Sequence, residues 1–293
     1  MAFTLTDSRV TVDMEALWKT TNTFFESFGA EEWGRRHGRD WTFADVPYHL
    51  AYHNRLLADT IKRGAKSSEE DALSTLAELN AWNNEQQSRR PPGYTPEEAL
   101  AEMRESQAVL RRAAREAASE SAVWLPVLEV RGWRTTRFAL AFNYWHTWLH
   151  LSEAHLRRHN TLPPLHAALM KRGLDFFMEI TAKAINAEVA RGENFIWTLT
   201  LTGAGGGVWT FGVKNGESRV IQGDSSRADM RLTTDIATYM KTAAFRMNSP
   251  LWALLTGQAR VRGIGQLAKL RRLYAPPVRQ VWQPLEQGSL IHE

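Results

Sequence analysis

Four histidines stand in two pairs of identical spacing, and imidazole is a common ligand of transition metals in proteins. His49 and His53 form one pair, and His146 and His150 form the other. Side chains four positions apart lie on one face of an α-helix, so each pair presents two imidazoles in one direction. If the two helices face one core, they supply enough nitrogen ligands for a divalent ion. Three histidines with one water form an open coordination that enzymes use to activate the bound water or a thiol.

A second interpretation of these histidines involves no metal. A single histidine pair on an apolar helix is more often packed in a core or hydrogen-bonded than bound to an ion. Two such pairs among only nine histidines, each beside aromatic residues, shift the balance towards a metal site. The residues alone leave both interpretations open: a metal centre, or histidines that fill the core of an interaction module.

The composition restricts the kind of protein and the kind of site. The 293 residues are 43% hydrophobic and 23% charged, as expected for a folded chain of two domains. The chain has no cysteine, which excludes disulfides, thiolate ligands and a cysteine nucleophile. The net charge of +4 does not indicate a nucleic-acid partner. No segment has the character of a membrane span or a secretory signal, so we expect a cytoplasmic protein with no membrane partner.

The first 160 residues carry the pattern of a helical domain. Apolar residues at helical spacing predict four long helices, over 12–28, 45–62, 95–119 and 134–159. A weaker pattern predicts another helical stretch over 69–87. Long amphipathic helices joined by turn-rich connections predict an all-α four-helix bundle over residues 1–160.

The remainder of the chain changes to strand patterns after a predicted helix over 165–191. Runs of β-branched and aromatic residues predict five strands, over 195–202, 208–213, 218–222, 228–233 and 258–262. Further helical segments are predicted at 235–245, 251–254 and 264–274. The mixture predicts an α+β domain over residues 165–293 that ends in a C-terminal tail.

The start of the second helix resembles a known superfamily. Residues 41–50, with the sequence Trp-Thr-Phe-Ala-Asp-Val-Pro-Tyr-His-Leu, resemble the segment that opens helix two in DinB-like metalloproteins, which include the mycothiol-dependent maleylpyruvate isomerases. In that superfamily the histidine of this segment is the first metal ligand, and it corresponds to His49. The other two ligands lie four residues apart on the last bundle helix, which the segment of His146 and His150 resembles. The resemblance implies a divalent metal, zinc by preference, bound by these three histidines.

One position departs from the isomerases, whose earlier ligand on the last helix is a glutamate. This chain has His146 there, as in the three-histidine DinB-like thiol transferases. The resemblance therefore implies a transferase or isomerase that uses a low-molecular-weight thiol such as mycothiol, and it does not assign maleylpyruvate as the substrate. His53, one turn from His49, is the candidate catalytic residue, as a proton shuttle or as a group that orients a ligand.

The second half of the chain resembles a sterol-carrier-protein-type domain. Residues 209–216, 228–233 and 256–263 follow the order of strands and helices in that family. Such domains bind apolar ligands between sheet and helices, and a related domain follows the bundle in the mycothiol-dependent isomerases. The implied partners are a small-molecule thiol and an organic substrate, while the oligomeric state stays open. The alternative function is an apolar-ligand binding protein, for a lipid or sterol-like molecule, with a structural or vestigial metal.

Overall fold

The computed structural model describes residues 10–38, 40–64, 76–118, 121–125 and 132–275. The chain divides into two compact units, and the boundary lies between Pro164 and Leu165. The N-terminal unit is helical, whereas the C-terminal unit is built on a β-sheet. None of the described helices combines the length and the apolar composition needed to cross a membrane.

Within the described part of the N-terminal unit, four long helices and two shorter ones form the frame. They are α1 (Val10–Glu26), α2 (Ala30–Trp33), α3 (Asp45–Arg63), α4 (Leu76–Ser88), α5 (Pro96–Glu116) and α6 (Thr136–His159). α3 packs against α4, α5 and α6, and α1 packs against α5 and α6. The long helices predicted from the sequence are confirmed, with ends shifted by a few residues. The weaker prediction over 69–87 is confirmed from residue 76 onward, and residues 65–75 lie outside the described part.

Local sequence signals set where the long helices begin and end. At the start of α5, Thr95 Oγ1 accepts a hydrogen bond from the Glu98 amide (3.2 Å), and the Glu98 carboxylate accepts one from the Thr95 amide (2.7 Å). α3 ends at Gly64 and α6 ends at Asn160, with φ angles of 59° and 60°. Glycine and asparagine tolerate this left-handed conformation best, so both helices stop there.

A buried chain of hydrogen bonds joins three of these helices. Asn143 of α6 donates its side-chain amide to Asn54 of α3 (3.0 Å), and Asn54 donates to Ser106 of α5 (3.1 Å). Buried polar groups lose much free energy when a partner is removed, so these bonds resist sliding of one helix against another. Asn54 follows His53 directly, and Asn143 precedes His146 by three residues. The network therefore sets the relative position of the two histidine pairs.

Two small antiparallel hairpins accompany the helices and have no counterpart in the sequence prediction. β1 (Arg36–His37) pairs with β2 (Trp41–Thr42), and β3 (Ala122–Leu125) pairs with β4 (Gly132–Thr135). Strands of two to four residues are too short to show an alternating pattern. The β1–β2 hairpin matters for the site because it carries His37 and Trp41.

Within residues 165–275, five strands form one mixed sheet in the order β7-β6-β5-β8-β9. They are β5 (Asn194–Thr202), β6 (Gly207–Lys214), β7 (Glu217–Gln222), β8 (Met230–Asp235) and β9 (Ala259–Arg262). β5 and β8 run parallel, and the other neighbours are antiparallel. The five strands predicted from β-branched and aromatic runs are confirmed.

Helices pack around this sheet. They are α7 (Ala167–Lys183), α8 (Ala187–Ala190), α9 (Ile236–Tyr239), a π-helix (Met240–Ala244), α10 (Pro250–Leu255), a short 3-10 turn (Ile264–Gln266) and α11 (Leu267–Leu273). The prediction of one helix over 165–191 is wrong, because the chain forms α7 and α8 with a break between them. The Asn186 side chain accepts hydrogen bonds from the amides of Glu188 and Val189 (3.0 and 3.2 Å), which starts a new helix.

Two carboxyl groups of α7 are buried in the C-terminal unit. Asp175 accepts hydrogen bonds from Lys171 Nζ (2.7 Å), Trp209 Nε1 (2.9 Å) and Gln222 Nε2 (3.1 Å). Glu179, one turn later, is only 3% exposed. Burial raises the pKa of Glu179 to about 8, and Lys183 offsets only part of that shift. Glu179 is therefore mostly protonated in the folded protein at neutral pH.

Replacing Glu179 with Gln should stabilise the protein at neutral and slightly basic pH. The folded pKa is raised, so the unfolded chain ionises first as the pH rises, and stability falls between about pH 4.5 and pH 8. Gln has nearly the same size and does not ionise, so we expect a gain of about 1–3 kcal/mol at neutral pH. Urea unfolding of both proteins across this pH range measures the difference.

The matched control is Asp175→Asn on the same helix. Burial raises the pKa of Asp175 as well, but Lys171, Trp209 and Gln222 offset part of that shift, so this change should alter stability less than Glu179→Gln does. An unchanged pH dependence in Glu179→Gln would contradict the protonated state of Glu179.

Candidate metal centre

The two histidine pairs meet inside the N-terminal unit. α3 carries His49 and His53, and α6 carries His146 and His150. Nε2 of His49 lies 3.0 Å from Nε2 of His146. One nitrogen each from His49, His146 and His150, here called the histidine triad, lies within 4.8 Å of the others. Tetrahedral zinc, with Zn–N distances of about 2.0–2.1 Å, places its nitrogens about 3.3 Å apart, so the His49–His146 pair lies close to that spacing.

His53 lies beside the triad. Its ring centroid is 4.4 Å from that of His49 and 4.4 Å from that of His146. Its Nε2 faces Oδ1 of Asn83 on α4 at 3.4 Å. The structure therefore brings all four histidines singled out in the sequence into one cluster. Three of them share a position that an ion can occupy, while the fourth is held by an asparagine of another helix.

Burial keeps these imidazoles neutral at pH 7. It lowers the pKa of His49 and His146 well below 6.5, and the neighbouring histidines lower both further. Burial also lowers the pKa of His150 to about 3 and that of His53 to about 4. A neutral imidazole has a free lone pair, which is the form that binds a metal ion.

The donor set fits a divalent ion in a second respect. Nδ1 of His150 is buried and has no hydrogen-bond partner among the described residues. Buried polar atoms without a partner are rare in folded proteins, because the loss of water is not compensated. An ion at the triad, or a group bound to such an ion, would supply a partner for Nδ1 of His150.

An open cavity of about 410 Å³ borders the triad. This volume is far larger than one water needs and lies in the range of small-molecule sites. The cavity is lined by His37, Gly38, Asp40, Trp41, His49, His53, Leu79, Asn80, Asn83, Asn84, Phe142, Trp145, His146, Leu149, His150 and Glu153. The triad is therefore accessible to a small molecule from this side.

Asp45 fixes the start of α3 to the β1–β2 hairpin. Its carboxylate accepts hydrogen bonds from the amide and the Oγ1 of Thr42, at 2.5 and 2.8 Å. Arg90 donates to the other carboxylate oxygen at 2.5 Å, and Gln87 Nε2 donates to the Asp45 carbonyl oxygen at 3.0 Å. Asp45 thus fixes Thr42, the residue that follows Trp41, to the start of α3. Asp45 itself lies four residues before His49.

Trp41 forms an aromatic wall of the cavity. Its ring centroid lies 4.7 Å from that of His49 and 6.2 Å from that of His150. Its Nε1 donates a hydrogen bond to Oδ1 of Asn84 (2.8 Å). An indole in this position removes water from one side of the triad and strengthens the electrostatic interactions there.

His37 is a site residue that the sequence reasoning missed. It is 2% exposed, and its Nε2 lies 3.9 Å from a carboxylate oxygen of Glu153. Burial lowers the pKa of His37 to about 3. Glu153 accepts two hydrogen bonds from Arg157, at 2.7 and 2.9 Å. Because His37 lies in a two-residue strand, no helical or alternating pattern connects it with the other histidines.

The asparagines of α4 were also missed, although their spacing carries a signal. Asn80, Asn83 and Asn84 all line the cavity, and positions i, i+3 and i+4 share one face of a helix. Two of them contact His53 and Trp41, as described above. A row of side-chain amides on a helix whose apolar pattern is weak could have indicated a polar binding surface.

Replacing Asp45 with Ala should lower the free energy of unfolding by about 2–4 kcal/mol, because a buried carboxylate with several donors is removed and Arg90 loses its partner. Asp59→Ala, at an exposed position on the same helix, should change it by less than about 0.5 kcal/mol. Thermal unfolding monitored by circular dichroism compares the two variants. Equal small effects would contradict the role of Asp45.

Comparison with solved structures covers most of the chain. Two solved structures of a mycothiol-dependent maleylpyruvate isomerase, one of them a mutant, share this fold with a TM-score of 0.51. Each is 13% identical, and the match covers 83% of this chain and 90% of the isomerase chain. The comparison with curated proteins finds no match.

A family comparison identifies the helical part directly. Residues 13–154 match the DinB superfamily, a range that includes α3, α5, most of α1 and α6, and all four clustered histidines. Over these residues the N-terminal unit is therefore similar to the DinB superfamily.

Proposed function

We propose that the chain is an enzyme that uses a divalent metal ion, zinc by preference, and a low-molecular-weight thiol in transferase or isomerase chemistry. The observation that carries this proposal is the convergence of three neutral imidazoles at the wall of an open cavity of about 410 Å³. Structural zinc sites are closed by four protein ligands, whereas catalytic sites keep one position open. The fold shared with a mycothiol-dependent isomerase supports a thiol as the small molecule.

In this proposal His49, His146 and His150 hold the ion. When bound, such an ion lowers the pKa of a thiol or water and supplies a nucleophile at neutral pH. The Trp41 ring keeps water from one side of His49. The proton on His53 Nε2 is held by Asn83 Oδ1, which leaves His53 Nδ1 as the nitrogen that takes up a proton during the reaction.

The cavity lining favours a neutral, hydrogen-bonding ligand. Among the described residues that line it there is no Lys or Arg, while Asp40 and Glu153 contribute carboxyl groups. The α4 asparagines add amide donors and acceptors. Apart from the bound ion, a dicarboxylate such as maleylpyruvate would find no cation among the described lining residues, so we propose that the cavity takes the uncharged part of a thiol or of its organic substrate.

We further propose that the N-terminal unit is a four-helix bundle of the DinB type and that the C-terminal unit is a sterol-carrier-protein-type domain. The four long helices support the first statement, and the mixed sheet with its surrounding helices supports the second. The alternative, a carrier of apolar ligands with a structural metal, is less well supported. A structural site would need a fourth protein ligand on the side where the cavity lies open.

Metal analysis tests the ligand assignment. The purified protein should contain about one equivalent of divalent metal, and His49→Ala and His146→Ala should lose it, because two imidazoles bind such an ion weakly. His53→Ala should keep the metal. His155→Ala is the matched control on α6, since His155 stacks on Phe24 away from the triad. Full metal content in both triad variants would refute the site.

Thiol binding tests the reaction class separately. In the cobalt-loaded protein, mycothiol or glutathione should produce a sulfur-to-cobalt charge-transfer band if a thiol coordinates the open position. The same band should appear in His53→Gln, because His53 is placed outside the triad. A metal-loaded protein whose spectrum does not respond to any low-molecular-weight thiol would favour the carrier alternative.

A further inference from the structure

One stretch of the C-terminal unit is strongly basic. Residues 236–275 contain seven basic side chains and no Asp or Glu; the seven are Lys241, Arg246, Arg260, Arg262, Lys269, Arg271 and Arg272. Lys269 and Arg272 pair with Glu193, at 2.9 and 3.2 Å. Arg246, Arg260 and Arg262 are exposed and have no acidic partner among the described residues. The charges of these three arginines are therefore not neutralised by an ion pair within the described residues.

The same stretch exposes large apolar side chains on one short helix. In α10, Leu251 is 63%, Trp252 59% and Leu255 73% exposed, whereas Ala253 is buried at 3%. Leu255 follows Leu251 by four positions and Trp252 by three, so it neighbours both on the helix surface and the three large side chains form a continuous patch. Clustered exposure of this kind marks an interaction site more often than chance exposure does.

The arginines lie close to this apolar surface in the fold. α10 packs against β9, which carries Arg260 and Arg262, and against the π-helix that precedes Arg246. Arg246 has a φ of 50°, a left-handed conformation that costs free energy in a residue other than glycine. We call Leu251, Trp252 and Leu255 together with Arg246, Arg260 and Arg262 the α10 surface.

We propose that the α10 surface docks on a lipid bilayer that carries anionic headgroups. Trp and Leu side chains favour the boundary between headgroups and acyl chains, and arginines around them bind anionic lipids. A nucleic acid would match the arginines but would offer no apolar region for the leucines. This proposal departs from the sequence expectation of no membrane partner, because the sequence does not show which side of α10 stays exposed. The docking is independent of the metal centre.

The α10 surface has an apolar component and a basic component, and each supplies only part of the binding free energy. We therefore expect binding that is reversible and that requires anionic lipid. Three partly inserted apolar side chains give weak attachment by themselves, and three arginines add a term that acts only on anionic lipids. The binding should therefore need both components. It should also weaken as salt is added, since salt screens the headgroup charge.

Sedimentation with vesicles tests the proposal on the full-length protein. Binding should be clear with vesicles in which a third of the phosphatidylcholine is replaced by phosphatidylglycerol, and weak with phosphatidylcholine alone. Trp252→Ala should reduce the partition coefficient about tenfold. Arg260→Gln combined with Arg262→Gln should reduce it roughly twenty-fivefold, at about fivefold for each arginine near the surface.

Trp133→Ala is the matched control, since Trp133 is 49% exposed in the N-terminal unit and should leave binding unchanged. All of these side chains are exposed, so circular dichroism melts should agree with the unmodified protein. No binding to anionic vesicles, or binding that Trp252→Ala leaves intact, would overturn the proposal. A dimer that Trp252→Ala dissolves, seen by light scattering without vesicle binding, would assign the surface to a second copy and also overturn it.

Discussion

The N-terminal unit depends on the burial of several neutral imidazoles in contact with one another. Desolvation lowers the pKa of His49, His146 and His150, so all three imidazoles are neutral at pH 7, the form that binds a metal ion. Nδ1 of His150 has no hydrogen-bond partner among the described residues, and a metal ion would bring nitrogens of all three imidazoles to one point. The same physical state that would be unfavourable in a plain helical core is the one that a metal site requires.

The rest of the unit holds this arrangement in place. The chain of hydrogen bonds through Asn143, Asn54 and Ser106 prevents α3, α5 and α6 from sliding past one another. Asp45 ties the β1–β2 hairpin to α3, which sets Trp41 beside His49. These contacts lie outside the triad and still determine its geometry, because small displacements of either helix would separate the histidine nitrogens.

Much of this arrangement could be predicted from the sequence, and the limits have physical causes. The four-residue spacing of the histidines and the helix stops at Gly64 and Asn160 are local signals, so the helices and their histidine faces were predictable. His37 was missed, because a two-residue strand leaves no periodic pattern. The break between α7 and α8 arises from one side-chain cap at Asn186. The exposure of α10 depends on tertiary packing, which no local pattern records.

The most direct measurement of the central claim is X-ray absorption spectroscopy of the metal-loaded protein at the metal edge. We expect three imidazole nitrogens at about 2.0–2.1 Å together with one oxygen ligand, and replacement of that oxygen by sulfur at about 2.3 Å when a low-molecular-weight thiol is added. Four imidazole nitrogens that do not change on addition of the thiol would contradict the account. That result would mean that His53 closes the coordination and that the metal is structural.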